Sequence, residues 1–168
     1  MKNKTLIIGP ITKTHGQGIV TMKVQNFFSK KLQNVHTIDT HYSGSFFIKF
    51  LFNLYLLFII SKNIIIFKPK IIYFTPSRSF FGSIRDLNIL LFKHYYFNSI
   101  KLVGHLHGSD LKTFLNKNLY GKLIKYLYFR YLNYLIILSN SQKKYALGSD
   151  FGRYRIINNP IIYKALPI

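Results

Sequence analysis

In the stretch KLVGHLHGSD, residues 101–110, an apolar run delivers two histidines and then one of the chain's four carboxylates. His105 and His107 are two residues apart, so in extended backbone both imidazoles leave the same side of a strand. Such a pair needs a third ligand to hold a metal. The sequence offers no HExxH or comparable paired spacing, so no metal is expected. His105 reads as a strand-end core residue. His107, beside Gly108, lies past the strand, where a neutral imidazole can hydrogen-bond a substrate hydroxyl or carbonyl. Ser109 adds a hydroxyl at the same edge. Asp110 either caps the start of the next helix or holds His107 or Lys112 in place.

A second constellation is THGQGIVTMK, residues 14–23. Gly16 and Gly18 fall between an apparent strand and an apparent helix, with Lys13 and His15 as donors beside them. Glycine lets backbone approach a ligand, and a helix N-terminus offers unpaired N–H groups to an anion. The spacing matches neither GxGxxG nor the P-loop GxxxxGK[ST], so a plain βα turn remains the alternative. Ser139 ends another apolar run as a natural N-cap for a helix opening at Asn140–Gln142.

The elements that must position these residues alternate. Thr5–Gly9 reads as a strand closed by Gly-Pro, followed by a helix over Ile19–Leu32. Its apolar positions Ile19, Met22, Val24, Phe27, Phe28 and Leu32 fall near one side. Asn34–Asp39 is a short strand with Asp39 at its C-terminal end. Phe46–Ile60 is an apolar helix broken only by Lys49 and Asn53. At that length it covers about 22 Å against about 30 Å of bilayer hydrocarbon, which favours a buried or membrane-lying helix over a span. Lys70–Thr75 is a strand stopped by Pro76, and Ile84–Phe97 a helix with Asp86 in its first turn, suited to the helix dipole. Ile100–Leu106 is the strand that feeds the histidines. Leu119–Asn133 is a helix, and Tyr134–Leu138 and Arg153–Asn158 are further strands. Short apolar strands alternating with helices predict an α/β fold, a Rossmann-like open parallel sheet with helices on both faces. Ligands of such sheets sit outside the carboxyl ends of the strands. The Gly loop, Asp39, the loop at 76–82, HGSD and Ser139 all fall there.

Composition narrows the partners. The chain has 168 residues, no Cys, 24 Lys and Arg against four Asp and no Glu, and a formal charge of +20. Disulfide and thiolate chemistry are excluded. The positive field favours an anionic partner. The basic-aromatic run YGKLIKYLYFRYLNY, 120–134, could in principle stack on single-stranded nucleic acid. Its aromatic rings do not share one face, however, so nucleic acid is not expected. The N-terminus has no signal-peptide h-region. A cytoplasmic protein, peripheral on the inner face of an anionic membrane, is expected.

In order, TLIIGPITKTHGQGIVTMKVQNFF, KPKIIYFTP, KLVGHLHGSDL, LNYLIILSNSQKKY and RYRIINNPI resemble the N-terminal half of a GT-B glycosyltransferase of the family 4 type. The resemblance covers nearly all of the chain. It implies sugar transfer from a nucleotide-sugar to a lipid-linked or polysaccharide acceptor, of the kind used in cell-envelope glycan synthesis, in a cleft between two Rossmann-like domains. No cofactor or metal is implied. Residues 1–158 would be the acceptor-side domain, and 159–168 a linker toward a separate C-terminal nucleotide domain. Gly16 and Gly18 would approach the donor phosphates, and His107 the transferred sugar. The family's Gly-Gly pair is Gly16-Gln17-Gly18 here, and without Glu no E-x7-E pair can exist. The 168-residue chain is expected to be inactive alone. The alternative is a stand-alone basic α/β protein that binds a membrane surface or another polyanion.

Overall fold

The computed structural model describes residues 4–14, 16–31, 34–95, 99–108 and 111–157. His15, Ser109, Asp110 and the expected linker 159–168 lie outside the described residues.

Six strands form one parallel sheet: β1 (Thr5–Gly9), β2 (Val35–Asp39), β3 (Ile71–Phe74), β4 (Lys101–His105), β5 (Tyr134–Ile137) and β6 (Tyr154–Ile156). Their order is β2-β1-β3-β4-β5-β6, and every pairing is parallel. The connecting helices are α1 (Gly16–Lys31), α2 (Phe46–Phe67), α3 (Phe80–Tyr95), α4 (Leu111–Asn116) and α5 (Leu119–Tyr131), with a 3-10 segment at Asn140–Tyr145. The step from β1 to β2 runs opposite to all later steps, so right-handed crossovers place α1 on one face and the other helices on the second. Accordingly α1 packs on β1 and β2, while α2, α3 and α5 lie side by side. The open Rossmann-like sheet predicted from the alternation of elements is therefore present.

The main core lies under the layer of α2, α3 and α5. Leu6, Ile8, Ile72, Phe74, Leu102 and Leu135 project there from the sheet and meet Leu56, Ile60, Ile64, Ile89, Leu90, Ile124 and Tyr128, all buried. The alternate strand positions, Ile7, Tyr73, Val103 and His105, face the other side.

The structure corrects several sequence boundaries. Helix α1 begins at Gly16, so both glycines form its first turn instead of a loop. Its buried residues are Gly18 and Thr21, while Phe27 is 54% exposed. Close approach of α1 to the sheet, with Thr21 against Gly9, leaves no room for a large inward side chain. Helix α2 continues through Ser61, Lys62 and Asn63 to Phe67. Polar residues do not end it because three of them turn back on their own helix: Asn53, Ser61 and Asn63 each donate to the carbonyl four residues earlier, at 2.7–2.8 Å. It stops at Lys68, left-handed at φ 48°, whose N–H donates to Ile64 O, and Pro69 follows. Helix α3 starts at Phe80, which moves Asp86 out of the first turn and into the interior. Ser139 precedes a 3-10 segment, and its side chain caps no backbone N–H; its Oγ lies 2.8 Å from Ser141 Oγ.

Candidate functional site

The carboxyl ends of β1, β2 and β3 frame an open cleft of about 420 Å³. Gln17 from the first turn of α1, His41 and Tyr42 after β2, and Ser77, Arg78 and Arg85 after β3 line it. Its walls are held by two carboxylates. Asp39 Oδ1, at the end of β2, accepts the N–H groups of Ile11 and His41, both at 2.8 Å, and so ties the β1–α1 connection to the neighbouring strand. Asp86 is fully buried. Its Oδ1 takes Arg85 Nε at 2.8 Å and Nη2 at 2.6 Å, and its Oδ2 takes the Ser77 N–H and the Tyr128 hydroxyl, both at 2.7 Å. Arg85 Nη2 also donates to Thr75 O at 2.8 Å. The Arg85–Asp86 pair thus clamps the connection after Pro76 against the start of α3, with every charge hydrogen-bonded. Burial and the Asp86 charge push the Tyr128 hydroxyl well up, so it remains a donor.

The histidines stand beside this cleft, at the end of β4. His105 is buried, and its Nδ1 lies 2.5 Å from the Tyr73 hydroxyl. Burial raises the Tyr73 pKa, so that hydroxyl keeps its proton. The His107 ring lies against His105, centroids 4.0 Å apart and planes tilted 34°. The expectation that both imidazoles leave the same side therefore holds. Burial, with the neighbouring His107, lowers His105 from 6.5 to about 3; burial, with the Arg78 charge, lowers His107 to about 4. Both rings are neutral at pH 7. Each Nε2 is buried without a hydrogen-bond partner among the described residues. Two orphaned buried imidazole nitrogens at a strand end call for an explanation, and a ligand hydroxyl is one.

The glycines separate into two kinds. A Cβ on Gly18 would sit 2.4 Å from Thr12 O and 2.8 Å from Thr12 N, so Gly18 lets α1 pack against the backbone of the β1–α1 connection. A Cβ on Gly16 would meet nothing within 4 Å; that backbone is open. Lys13 is exposed beside it. Ser139 is not part of the cleft: it borders a separate groove of about 430 Å³ lined by Lys112, Lys125, Ser141, Lys143 and Lys144. His107 does not line the main cleft either, and adjoins it through Arg78. The structure therefore groups Gln17, the residues after β2 and the β3–α3 connection around one cleft, with His107 on its flank beside Arg78, while Gly16 and Lys13 do not line it. Sequence reasoning missed Gln17, Arg78 and Arg85. The one available signal was PSRSFFGSIRD, residues 76–86, two arginines and an acid at a strand's carboxyl end in a chain with few acids.

Among the described residues no three His or Asp side chains converge as a metal set. No family model matches this sequence, and no curated protein matches it. Among solved structures, the apo form of the lipopolysaccharide outer core galactosyltransferase WaaB is similar over 97% of this chain, with a TM-score of 0.59 at 18% identity. The chain spans about half, 47%, of that protein's length. The architecture is that of one Rossmann-like half of a GT-B glycosyltransferase fold.

Proposed function

We propose that the chain is the acceptor-side half of a glycosyltransferase that moves a sugar from a nucleotide-sugar to a lipid-linked or polysaccharide acceptor. The observation that carries this reading is the neutral His107, whose buried Nε2 has no partner among the described residues, at the carboxyl edge of a sheet whose fold is similar to half of a galactosyltransferase. In this reading the anomeric C–O bond to the donor diphosphate breaks as the acceptor oxygen bonds to the same carbon; the nucleoside diphosphate leaves with the electron pair of the broken bond and takes up the proton the acceptor hydroxyl loses. The imidazole hydrogen-bonds a hydroxyl of the transferred sugar. Gly16 and Lys13 approach the donor phosphates, with His15, Ser109 and Asp110, outside the described residues, as further candidates from the sequence. Gly18 serves the packing of α1 instead. Arg78 supplies positive charge to the cleft, while Arg85, paired with Asp86, holds its wall. A second Rossmann-like domain closes the site and holds the nucleotide.

The test is transfer of labelled hexose from a panel of nucleotide-sugars to membrane and polysaccharide extracts, by the chain alone and by the chain supplied with a GT-B nucleotide domain. Turnover is expected only in the second case. His107→Ala should lower it about 100- to 1,000-fold, the worth of one donor aimed at developing charge, with donor affinity retained. His105→Ala, the control, should cost stability more than rate. Near-normal turnover in His107→Ala would remove the histidine from the reaction.

A further inference from the structure

Helix α2 is apolar all round, yet the protein covers only one side of it. Leu56, Ile60 and Ile64 face the core at 3% exposure or less. On the opposite side Phe47, Leu51, Leu54, Tyr55, Phe58 and Ile66 are between 47% and 67% exposed. Their spacing of three, four and seven residues makes one continuous stripe, interrupted only by Lys62. The polar side chains that punctuate the helix do not disturb that stripe, because Asn53, Ser61 and Asn63 donate to their own helix carbonyls. The stripe continues at the N-terminal end. Phe46 lies 5.3 Å from Phe81, Phe81 is 5.7 Å from Phe80, and Phe80 is 5.2 Å from Tyr120, centroid to centroid. That rim runs across the starts of α2, α3 and α5, at the sheet edge that holds the cleft. An uncovered apolar surface of this extent marks an interaction site.

Charge identifies the occupant. Lys4 Nζ sits over the Phe67 ring at 5.4 Å, Lys70 N–H donates to Lys4 O, and Lys68 ends the helix. Together with Lys62 these give the C-terminal end of α2 a basic cluster. Two chains of charge +20 repel one another, which disfavours a second copy. An anionic bilayer satisfies both the apolar stripe and the lysines, whose stems can lie along apolar surface while their ammonium groups reach the headgroups.

We propose that α2 lies in the plane of an anionic lipid bilayer, outer face in the headgroup and acyl boundary, and holds the cleft edge of the sheet against the membrane. The helix is long and apolar enough to cross a membrane by length and composition. Its inner face, however, is built into the core, and Asn88 of α3 donates to Leu57 O and Ser61 Oγ. Spanning would strip the sheet of that cover, whereas lying flat uses both faces at once. The proposal stands independently of the sugar-transfer reading.

The chain contains no Trp, so Phe58→Trp, at an exposed site, is a clean reporter. Vesicles of equal parts phosphatidylcholine and phosphatidylglycerol should carry the protein to the top of a flotation gradient. They should shift the Trp emission to the blue, and high salt should weaken both effects. Brominated lipids should quench at shallow depth. Leu51→Asp with Phe58→Asp should lower partitioning at least about 100-fold, two apolar side chains withdrawn from lipid, at unchanged far-UV circular dichroism. Lys62→Glu tests the charge without touching apolar packing. It should weaken binding to the anionic vesicles about tenfold or more and leave binding to pure phosphatidylcholine unchanged. Undiminished partitioning of the double Asp variant would overturn the proposal, since adsorption would then be purely electrostatic. So would quenching at the bilayer centre, which means a span. A dimer in sedimentation that the double Asp variant splits, without vesicle binding by the parent, would assign the stripe to a second copy instead.

Discussion

Substituting the two glycines of α1 by alanine should change stability in opposite directions. At Gly18 the added Cβ would lie 2.4 Å from Thr12 O, 2.5 Å from Thr12 Cγ2 and 2.8 Å from Thr12 N. Two of those three atoms are backbone, and the segment cannot retreat freely because the adjacent Ile11 N–H is bonded to Asp39 at 2.8 Å. Overpacking of this kind costs about 1–3 kcal/mol, offset by up to about 1 kcal/mol of helix propensity gained over glycine. Gly18→Ala should therefore lose about 1–2 kcal/mol. At Gly16 nothing lies within 4 Å of the new Cβ, so only the propensity and unfolded-state entropy gains remain, about 0.4–1 kcal/mol of stabilisation. For a domain of this size 1 kcal/mol moves Tm by about 2–4 °C. Urea denaturation followed by far-UV circular dichroism separates the pair. If both variants shift the same way, or Gly18→Ala matches the parent, the assignment of Gly18 to helix packing and Gly16 to an open backbone is wrong.

Two further predictions concern buried groups. Tyr128→Phe removes one of four bonds to the fully buried Asp86 carboxylate and should cost about 1.5–3 kcal/mol; Asp86→Ala leaves Arg85 unpaired and should cost about 3–5 kcal/mol, with equal stabilities in the two variants refuting the hub. Because His105 and His107 are held neutral in the fold, at about 3 and about 4, the unfolded chain binds more protons below pH 6.5. Stability should then be at its full value above pH 6.5 and fall as pH drops toward 4, by up to about 2.7 kcal/mol per unit when both rings titrate. His105→Gln with His107→Gln should flatten that dependence in urea titrations across the window.

The strands were legible because each is a short apolar run with a chemical stop. Thr5–Gly9 ends at Gly-Pro, and the strand at Ile71–Phe74 ends before Pro76. The helix boundaries were less so, since they depend on where polar groups find partners. Gly18 looks like a loop residue until the space around Thr12 is known. Ser61 and Asn63 look like breakers until their bonds to the preceding turn are seen. Asp86 shows the same limit. On a helix, adjacent residues do not face each other, so nothing in the string RD suggests a buried pair. Only the packing of Thr75, Ser77 and Tyr128 around it makes the charge tolerable. His107 could be placed at the sheet edge from KLVGHLHG alone, because strand direction carries it there. Its stacking on His105 and the bond between His105 and Tyr73 arise only when β3, β4 and the connection after β4 meet.

The position of α2 in the chain also sets a schedule. Residues 46–67 leave the ribosome before strand 71–74, whose neighbours they will cover, and before α3, the helix that braces them. Until residue 95 has been added, the inner face of α2 lacks the packing of α3 against it. At ordinary synthesis rates that interval lasts on the order of a few seconds. For its duration the nascent chain displays a free 22-residue apolar helix, and docking onto the sheet competes with capture by lipid or chaperone. A translational pause between codons 67 and 95 would lengthen that exposure and favour capture over docking.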